Sequence, residues 1–147
     1  MSESSHHRIL VEALARNISD DSAWSSPPLV YCDIIDEIST SNLPPAIGSH
    51  RPDVFARDIM SSFSIIGEAK TDGDIDNNHT LLQLTSFFDH LRTHKKAELW
   101  MGVTWMSAGT AMRVCRKARK LADSLHVPFR IVAYMMGDTA IRREWRE

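Results

Sequence analysis

Cysteine is scarce in this sequence, and no Cys-x-x-C pattern occurs. The two cysteines, Cys32 and Cys115, are far apart and each stands among apolar residues. Two isolated cysteines exclude a disulfide framework and a cysteine-based zinc site, and they are typical of a protein of the reducing cytoplasm. We therefore expect a cytoplasmic protein that is stabilised by a hydrophobic core.

Long apolar runs are also missing, since none approaches the ~18–20 residues that a membrane-spanning helix needs. The first residues lack a cationic segment that leads into an apolar stretch, so no export signal is predicted. The chain has 147 residues, of which 43% are hydrophobic and 24% are charged. This length and composition are typical of one ordinary globular domain. We expect a single domain over residues 1–147 with no membrane association.

Basic residues are scarce in the first part of the chain. Residues 1–91 carry 5 Lys/Arg against 14 Asp/Glu, whereas residues 92–147 carry 12 against 5, and the net charge is −2. The acidic part allows the binding of cations and the basic part allows the binding of polyanions. The alternative is the uneven surface charge that many soluble proteins have without such partners.

The hydrophobic pattern predicts alternating helices and strands. Helices are predicted at about 6–18, 78–92 and 108–125, and strands at about 29–38, 53–56, 63–70, 98–106 and 129–136. The tail at 141–147 is predicted to be a short helix. Three strands in series, followed by β-α-β alternation, indicate an α/β fold with a mixed central sheet flanked by helices.

The most informative segment contains Asp53 and, after fourteen intervening residues, the run Glu68-Ala-Lys70. Residues two apart on a strand project from the same face, so Glu68 and Lys70 are expected side by side. Charged groups in a central strand are costly unless they are paired or bind a metal. The alternatives are a salt bridge on an exposed strand and a turn residue at Asp53.

A metal site is the functional interpretation of these residues. Asp53 and Glu68 supply two carboxylates, and the main-chain carbonyl of Ala69 supplies a third oxygen. Oxygen donors of this kind are what Mg²⁺ prefers, with waters completing its octahedral shell. Lys70 is then placed to orient or deprotonate a water, or to balance developing negative charge.

The pattern Pro52-Asp53, fourteen residues and Glu68-Ala-Lys70 resembles the motif of the PD-(D/E)xK nuclease superfamily, which includes restriction endonucleases and archaeal Holliday junction resolvases. The predicted order of elements is similar to the αβββαβ core of that restriction-endonuclease-like fold. The resemblance implies a metal-dependent endonuclease that hydrolyses phosphodiester bonds in DNA. It also implies that Asp53 and Glu68 hold Mg²⁺, for which Mn²⁺ can substitute, and that Lys70 is the catalytic lysine.

The resemblance suggests two more site residues, each with an alternative. Many members carry a glutamate on the first helix, and Glu12 is the matching candidate. Arg8 and Arg16 lie four residues to either side, so Glu12 is equally a surface ion-pair partner. Gln83 matches the glutamine of the Gln-x-x-x-Tyr pattern of some subfamilies, but Phe87 lacks the tyrosine hydroxyl, which leaves the subfamily open.

Basic residues on the predicted helix at about 108–125 are candidates for binding the phosphate backbone of DNA. The predicted basic face consists of Arg113, Arg116, Lys117 and Lys120. Arg51, close to Asp53, is a further candidate contact. The alternative for the helix is a solvated face, and for Arg51 an ordinary loop residue. Arg142, Arg143 and Trp145 in the tail are predicted to add a contact or to pack against a partner subunit.

The small size of the domain limits how much sequence it can recognise, because specific complexes commonly bury ~1,000–2,500 Å² of protein surface. We therefore expect a structure-selective enzyme, or a homodimer whose two sites cut opposite strands. The alternative function is a catalytically silent module that keeps the nuclease fold and binds nucleic acid or protein.

Overall fold

The hydrophobic pattern folds into alternating helices and strands in the computed structural model, which describes residues 3–33 and 43–147. The α-helices in these ranges are α1 (Glu3–Ser19), α2 (Asn78–Leu91) and α3 (Ala108–Leu121). The strands are β1 (Leu29–Cys32), β2 (Val54–Arg57), β3 (Ser64–Ala69), β4 (Ala97–Thr104), β5 (Phe129–Met135) and β6 (Asp138–Arg146). The predicted strand at 29–38 is observed as β1, and positions 34–38 lie outside the described residues.

All of these strands join one mixed sheet in the order β1 to β6. The β1–β2, β2–β3 and β5–β6 pairs are antiparallel, and the β3–β4 and β4–β5 pairs are parallel. Apolar residues of α1 pack on one face of this sheet, and those of α2 and α3 pack on the other. The expectation of an α/β fold with a mixed sheet flanked by helices is confirmed.

Strand β3 lies at the centre and is buried along its whole length. Ile65 packs with α1, whereas its neighbour Ile66 packs with α2 and α3, because successive side chains point to opposite faces. At Gly67 a Cβ atom would lie 2.8 Å from the Cδ1 atom of Ile18 on α1. The glycine therefore allows α1 to lie directly against β3.

Four residues form a straight row across the sheet, namely Glu68, Met101, Ile131 and Trp145. Met101 and Ile131 belong to the core beneath α2 and α3, so this row projects from that face. Its first member, Glu68, lies in the buried central strand. Its last member, Trp145, lies in the strand at the end of the sheet.

Two sequence predictions about the second half are wrong. The tail forms strand β6 rather than a short helix, because the backbone of β5 provides an antiparallel partner and this pairing overrides the local preference. Helix α3 ends at Leu121 rather than near residue 125. Asp123 has a left-handed backbone conformation with φ of 51°, which stops the helix. Within the described ranges, no helix is long and apolar enough to cross a membrane.

Candidate active site

The antiparallel pairing of β2 and β3 brings Asp53 next to Glu68. Val54 is paired with Gly67, so the residues just outside this pair face each other. The backbone N–H of Asp53 donates to Glu68 Oε2 at 3.3 Å, and the backbone N–H of Ala69 donates to Asp53 Oδ2 at 2.9 Å. Each acidic side chain is thus held by the backbone of the opposite segment.

Lys70 lies beside Glu68 at the carboxyl end of β3. Its Nζ atom is 3.7 Å from Glu68 Oε1, and the side chains are 13% and 3% exposed. The backbone N–H of Lys70 donates to the carbonyl of Gly102 in β4, which fixes the residue at the end of the parallel pair. The structure therefore brings together Asp53, Glu68 and Lys70.

The electrostatic environment of Glu68 is unfavourable to its negative charge. Burial raises the pKa of Glu68 well above its usual value, and the charge of Asp53 raises it further. The Lys70 ammonium acts in the opposite direction and does not offset these two causes. Two adjacent buried carboxyls favour the uptake of a proton or a cation.

His7 on α1 is a member of this cluster that the sequence reasoning missed. Its Nε2 atom is 3.2 Å from Asp53 Oδ2. The hydrogen bond to Asp53 raises the pKa of His7, partly opposed by burial of the ring. The signal in the sequence is that His7 continues, at helical spacing, the buried stripe formed by Leu10 and Leu14.

Glu12 and Gln83 are placed differently from one another. Glu12 Oε1 accepts a hydrogen bond from Arg8 Nε at 3.0 Å, which is the surface ion pair named as its alternative. Gln83 is buried on α2, on the face of the sheet from which Glu68 projects. Its Oε1 atom has no hydrogen-bond partner among the described residues. Gln83 therefore keeps an acceptor atom unused in this part of the core.

The loop before β2 contributes an imidazole contact. The ring centroid of His50 is 5.8 Å from that of His79 at the start of α2 and 6.4 Å from that of Phe87. Arg51, which precedes Asp53 by two residues, is exposed. Arg51 is thus accessible to a charged ligand near the acidic pair.

The predicted basic face of α3 is partly engaged within the chain. Arg113 Nη2 lies 3.3 Å from Asp76 Oδ2, and Arg116 Nη2 lies 2.7 Å from Glu147 Oε2. Lys117 and Lys120 are exposed. Exposed ion pairs contribute little free energy, so a phosphate can replace the carboxylates.

A groove of about 440 Å³ lies at the carboxyl ends of β4 and β5. Residues that line it include His6, Asp72, Thr104, Trp105 and Met135. Ligands of open α/β sheets commonly bind at the carboxyl ends of the parallel strands. Because Lys70 follows the carboxyl end of β3, the groove and the acidic cluster lie at the same end of the strands.

The donor atoms of the cluster suit a hydrated magnesium ion. Across residues 3–33 and 43–147, no three His, Cys, Asp or Glu side chains are arranged so that they could hold a metal ion. Mg²⁺ usually keeps several waters and takes only one or two protein carboxylates. Asp53, Glu68 and the carbonyl of Ala69 provide hard oxygen donors of this kind, and the repulsion between the carboxylates favours a cation between them.

Comparison with known proteins finds no match: no protein family, no characterised protein and no solved structure corresponds to this chain. The interpretation of the site therefore rests on the contacts among Asp53, Glu68, Lys70 and His7.

Proposed function

We propose that this chain is a metal-dependent endonuclease that hydrolyses phosphodiester bonds in DNA. The observation that supports the proposal is the convergence of Asp53, Glu68 and Lys70 at the carboxyl end of β3. Three charged groups in a buried sheet are costly to fold, and a buried carboxyl with a raised pKa, such as that of Glu68, is frequently functional.

The roles of the residues follow from their positions. Asp53, Glu68 and the Ala69 carbonyl would hold Mg²⁺, or Mn²⁺ in its place. When bound, such an ion lowers the pKa of a coordinated water and stabilises negative charge on a phosphate. The Lys70 ammonium, beside Glu68, balances the charge that develops on the attacked phosphate. His7 holds the Asp53 carboxylate in one orientation through its hydrogen bond.

The proposed substrate is DNA with unpaired or branched structure. Residues 92–147, the basic part of the chain, are proposed to bind the phosphates of the DNA. The exposed Lys117 and Lys120 are the first candidates for these contacts. Trp105 borders the groove at the same end of the strands as the site and is 37% exposed, and the guanidinium of Arg143 lies 5.5 Å from its ring centroid. An accessible indole beside a cation suits the stacking of an unpaired base.

The proposal extends to assembly and location. We propose a homodimer, since one domain of this size offers little area for recognition. Cys32 and Cys115 are both free thiols, which is consistent with the reducing cytoplasm as the place of action.

A cleavage assay over several DNA structures tests the proposal. Labelled duplex, single-stranded, flapped and four-way DNA are incubated with the protein and Mg²⁺, Mn²⁺ or EDTA. We expect metal-dependent cutting of at least one branched substrate. Lys70→Ala should abolish the cutting while the circular dichroism spectrum is retained, whereas Lys95→Ala, an exposed control, should cut normally.

The alternative function is a catalytically silent module that binds nucleic acid or protein. The observation that favours it is that the charges of the cluster already have partners within the chain, His7 for Asp53 and Lys70 for Glu68. If the wild-type protein and Lys70→Ala bind DNA equally and neither cuts any substrate with metal present, this alternative is correct.

A further inference from the structure

Strand β6 leaves a long edge of the sheet open. It spans nine residues, and within the described part of the chain its one neighbouring strand is β5. Ile141 is 47% exposed and Trp145 is 36% exposed on this strand. An exposed strand of this length is a template for pairing with another strand.

The hydrogen bonds to β5 show which groups of β6 point to the open edge. The N–H and C=O of Glu147 both bond to Phe129, each at 2.9 Å. Because bonded residues alternate along an antiparallel pair, Trp145 and Arg143 also face β5. The N–H and C=O groups of Arg142 and Glu144 therefore point away from the sheet and are available to a second strand.

The side chains of β6 are complementary to themselves in one antiparallel register. When the pairing is centred on Arg143, Arg142 lies opposite Glu144 of the partner subunit, and the reciprocal pair forms as well. Ile141 then lies opposite Trp145 of the partner subunit, which is an aromatic and β-branched pair. A register centred on Arg142 or on Glu144 lacks both of these Arg–Glu pairs and places Arg142 or Glu144 opposite its own copy.

We propose that two copies of this chain pair through β6 in the antiparallel register centred on Arg143. The joined molecule has one continuous sheet, and the proposal does not depend on nuclease activity. Arg143 lies opposite its own copy in this arrangement. Its guanidinium is directed toward the ring of Trp105 in its own chain, 5.5 Å from the centroid, which draws its charge away from the two-fold axis.

The charges on β6 do not block this pairing. Edge strands are often protected by charges that repel a second strand. On the face of β6 that carries Asp138, Arg142, Glu144 and Arg146 the charges alternate in sign, and Arg142 Nε lies 3.2 Å from Glu144 Oε1. Alternating charges favour an antiparallel partner in the matching register and disfavour shifted ones.

Charge-reversal variants studied by sedimentation equilibrium test the proposal. We expect the wild-type protein to form a species of twice the 16.6 kDa chain mass. Arg142→Glu and Glu144→Arg should each weaken dimerisation by at least about tenfold, because each places like charges opposite one another. The double variant should dimerise again, and so should an equimolar mixture of the two single variants. Lys95→Glu is the control for a charge change elsewhere on the surface.

The outcomes that would overturn the proposal are distinct. A wild-type protein that stays monomeric at all concentrations overturns it. So do single variants that dimerise as tightly as the wild type, or a mixture of the two that does not associate. Circular dichroism of each variant shows that the fold is retained. Cleavage by a monomeric variant would leave the proposed nuclease activity intact, so the two proposals fail separately.

Discussion

Each end of the β2–β3 hairpin carries a buried carboxylate, and the two carboxylates have opposite surroundings. Asp58 lies in the loop that joins the strands. It accepts hydrogen bonds from the N–H and the hydroxyl of Ser25, at 2.8 and 2.5 Å. It also accepts from the hydroxyl of Ser26 at 2.7 Å and from the N–H of Met60 at 2.9 Å. Glu68, at the other end, has one backbone donor at 3.3 Å and the Lys70 ammonium at 3.7 Å.

The pKa values of the two groups shift in opposite directions for this reason. Hydrogen bonds from Ser25 and Ser26 hold the pKa of Asp58 far below its usual value. Burial and the adjacent Asp53 raise that of Glu68. A carboxylate with a full set of donors stabilises the fold, whereas one with few donors and a like-charged neighbour retains an unfavourable energy that a bound cation can relieve.

The largest expected effect concerns cleavage. We expect Glu68→Gln to reduce DNA cutting by at least about 10²-fold, because it removes one of the carboxylates that hold the metal. Its free energy of unfolding should be unchanged or higher, since a buried charge is lost. Asp58→Asn should cut at the wild-type rate per folded molecule. Equal cleavage by Glu68→Gln and wild type would contradict the proposed role.

The second effect concerns stability and its dependence on pH. Asp58→Asn should lower the free energy of unfolding, because the charged acceptor of several hydrogen bonds is lost. The folded pKa of Asp58 lies below its unfolded value of about 3.9, so its contribution is present above that pH and is lost as the pH falls. Urea unfolding at pH 6 and pH 3 should show the difference between wild type and Asp58→Asn shrinking at pH 3.

The same measurement should give the opposite trend for Glu68→Gln in EDTA. The folded pKa of Glu68 lies above its unfolded value of about 4.3, so ionisation destabilises the folded state as the pH rises. The advantage of Glu68→Gln over wild type should therefore grow between pH 4 and pH 7. If the difference in free energy of unfolding from wild type changed with pH in the same direction for Asp58→Asn and Glu68→Gln, the contrast between the two carboxyl groups would be contradicted.

The third effect is stabilisation by metal. A Mg²⁺ concentration one hundred times its dissociation constant should add about 2.7 kcal/mol to the free energy of unfolding. The shift should disappear in Asp53→Asn and persist in Asp58→Asn, which is the matched control at the other end of the hairpin. Thermal unfolding with and without Mg²⁺ measures it.

The smallest effect concerns His7. We expect His7→Ala to lower cleavage by about tenfold, since residues that orient a metal ligand typically contribute 10–100-fold. His7→Gln can still donate to Asp53 and should recover most of the activity. The turnover number and the Michaelis constant of both variants measure this role, and identical losses in the two would contradict it.

Much of the fold follows from the sequence because β3 carries the apolar pair Ile65 and Ile66 before Glu68 and because the helices have regular apolar stripes. The same reasoning finds Asp53, Glu68 and Lys70, since their spacing along two strands fixes their faces. His7 is not found by that reasoning, because its contact with Asp53 depends on how α1 lies across the sheet. The prediction of a helix in the tail is wrong for a related reason. Strand β6 forms only through its pairing with β5, and no local sequence pattern encodes that pairing.

In the proposed dimer, the direction of the central strands determines which DNA structures can contact both sites. A two-fold axis normal to the sheet reverses the direction of the strands. The carboxyl ends of β3, β4 and β5 in one copy therefore lie at the opposite end of the joined sheet from those in the other copy. The Glu68 residues are then seven strand spacings apart, or roughly 34 Å across the strands. A straight duplex that lies along one end of the strands contacts one Lys70. A branched DNA molecule whose arms lie along both ends contacts the Lys70 residues of both copies.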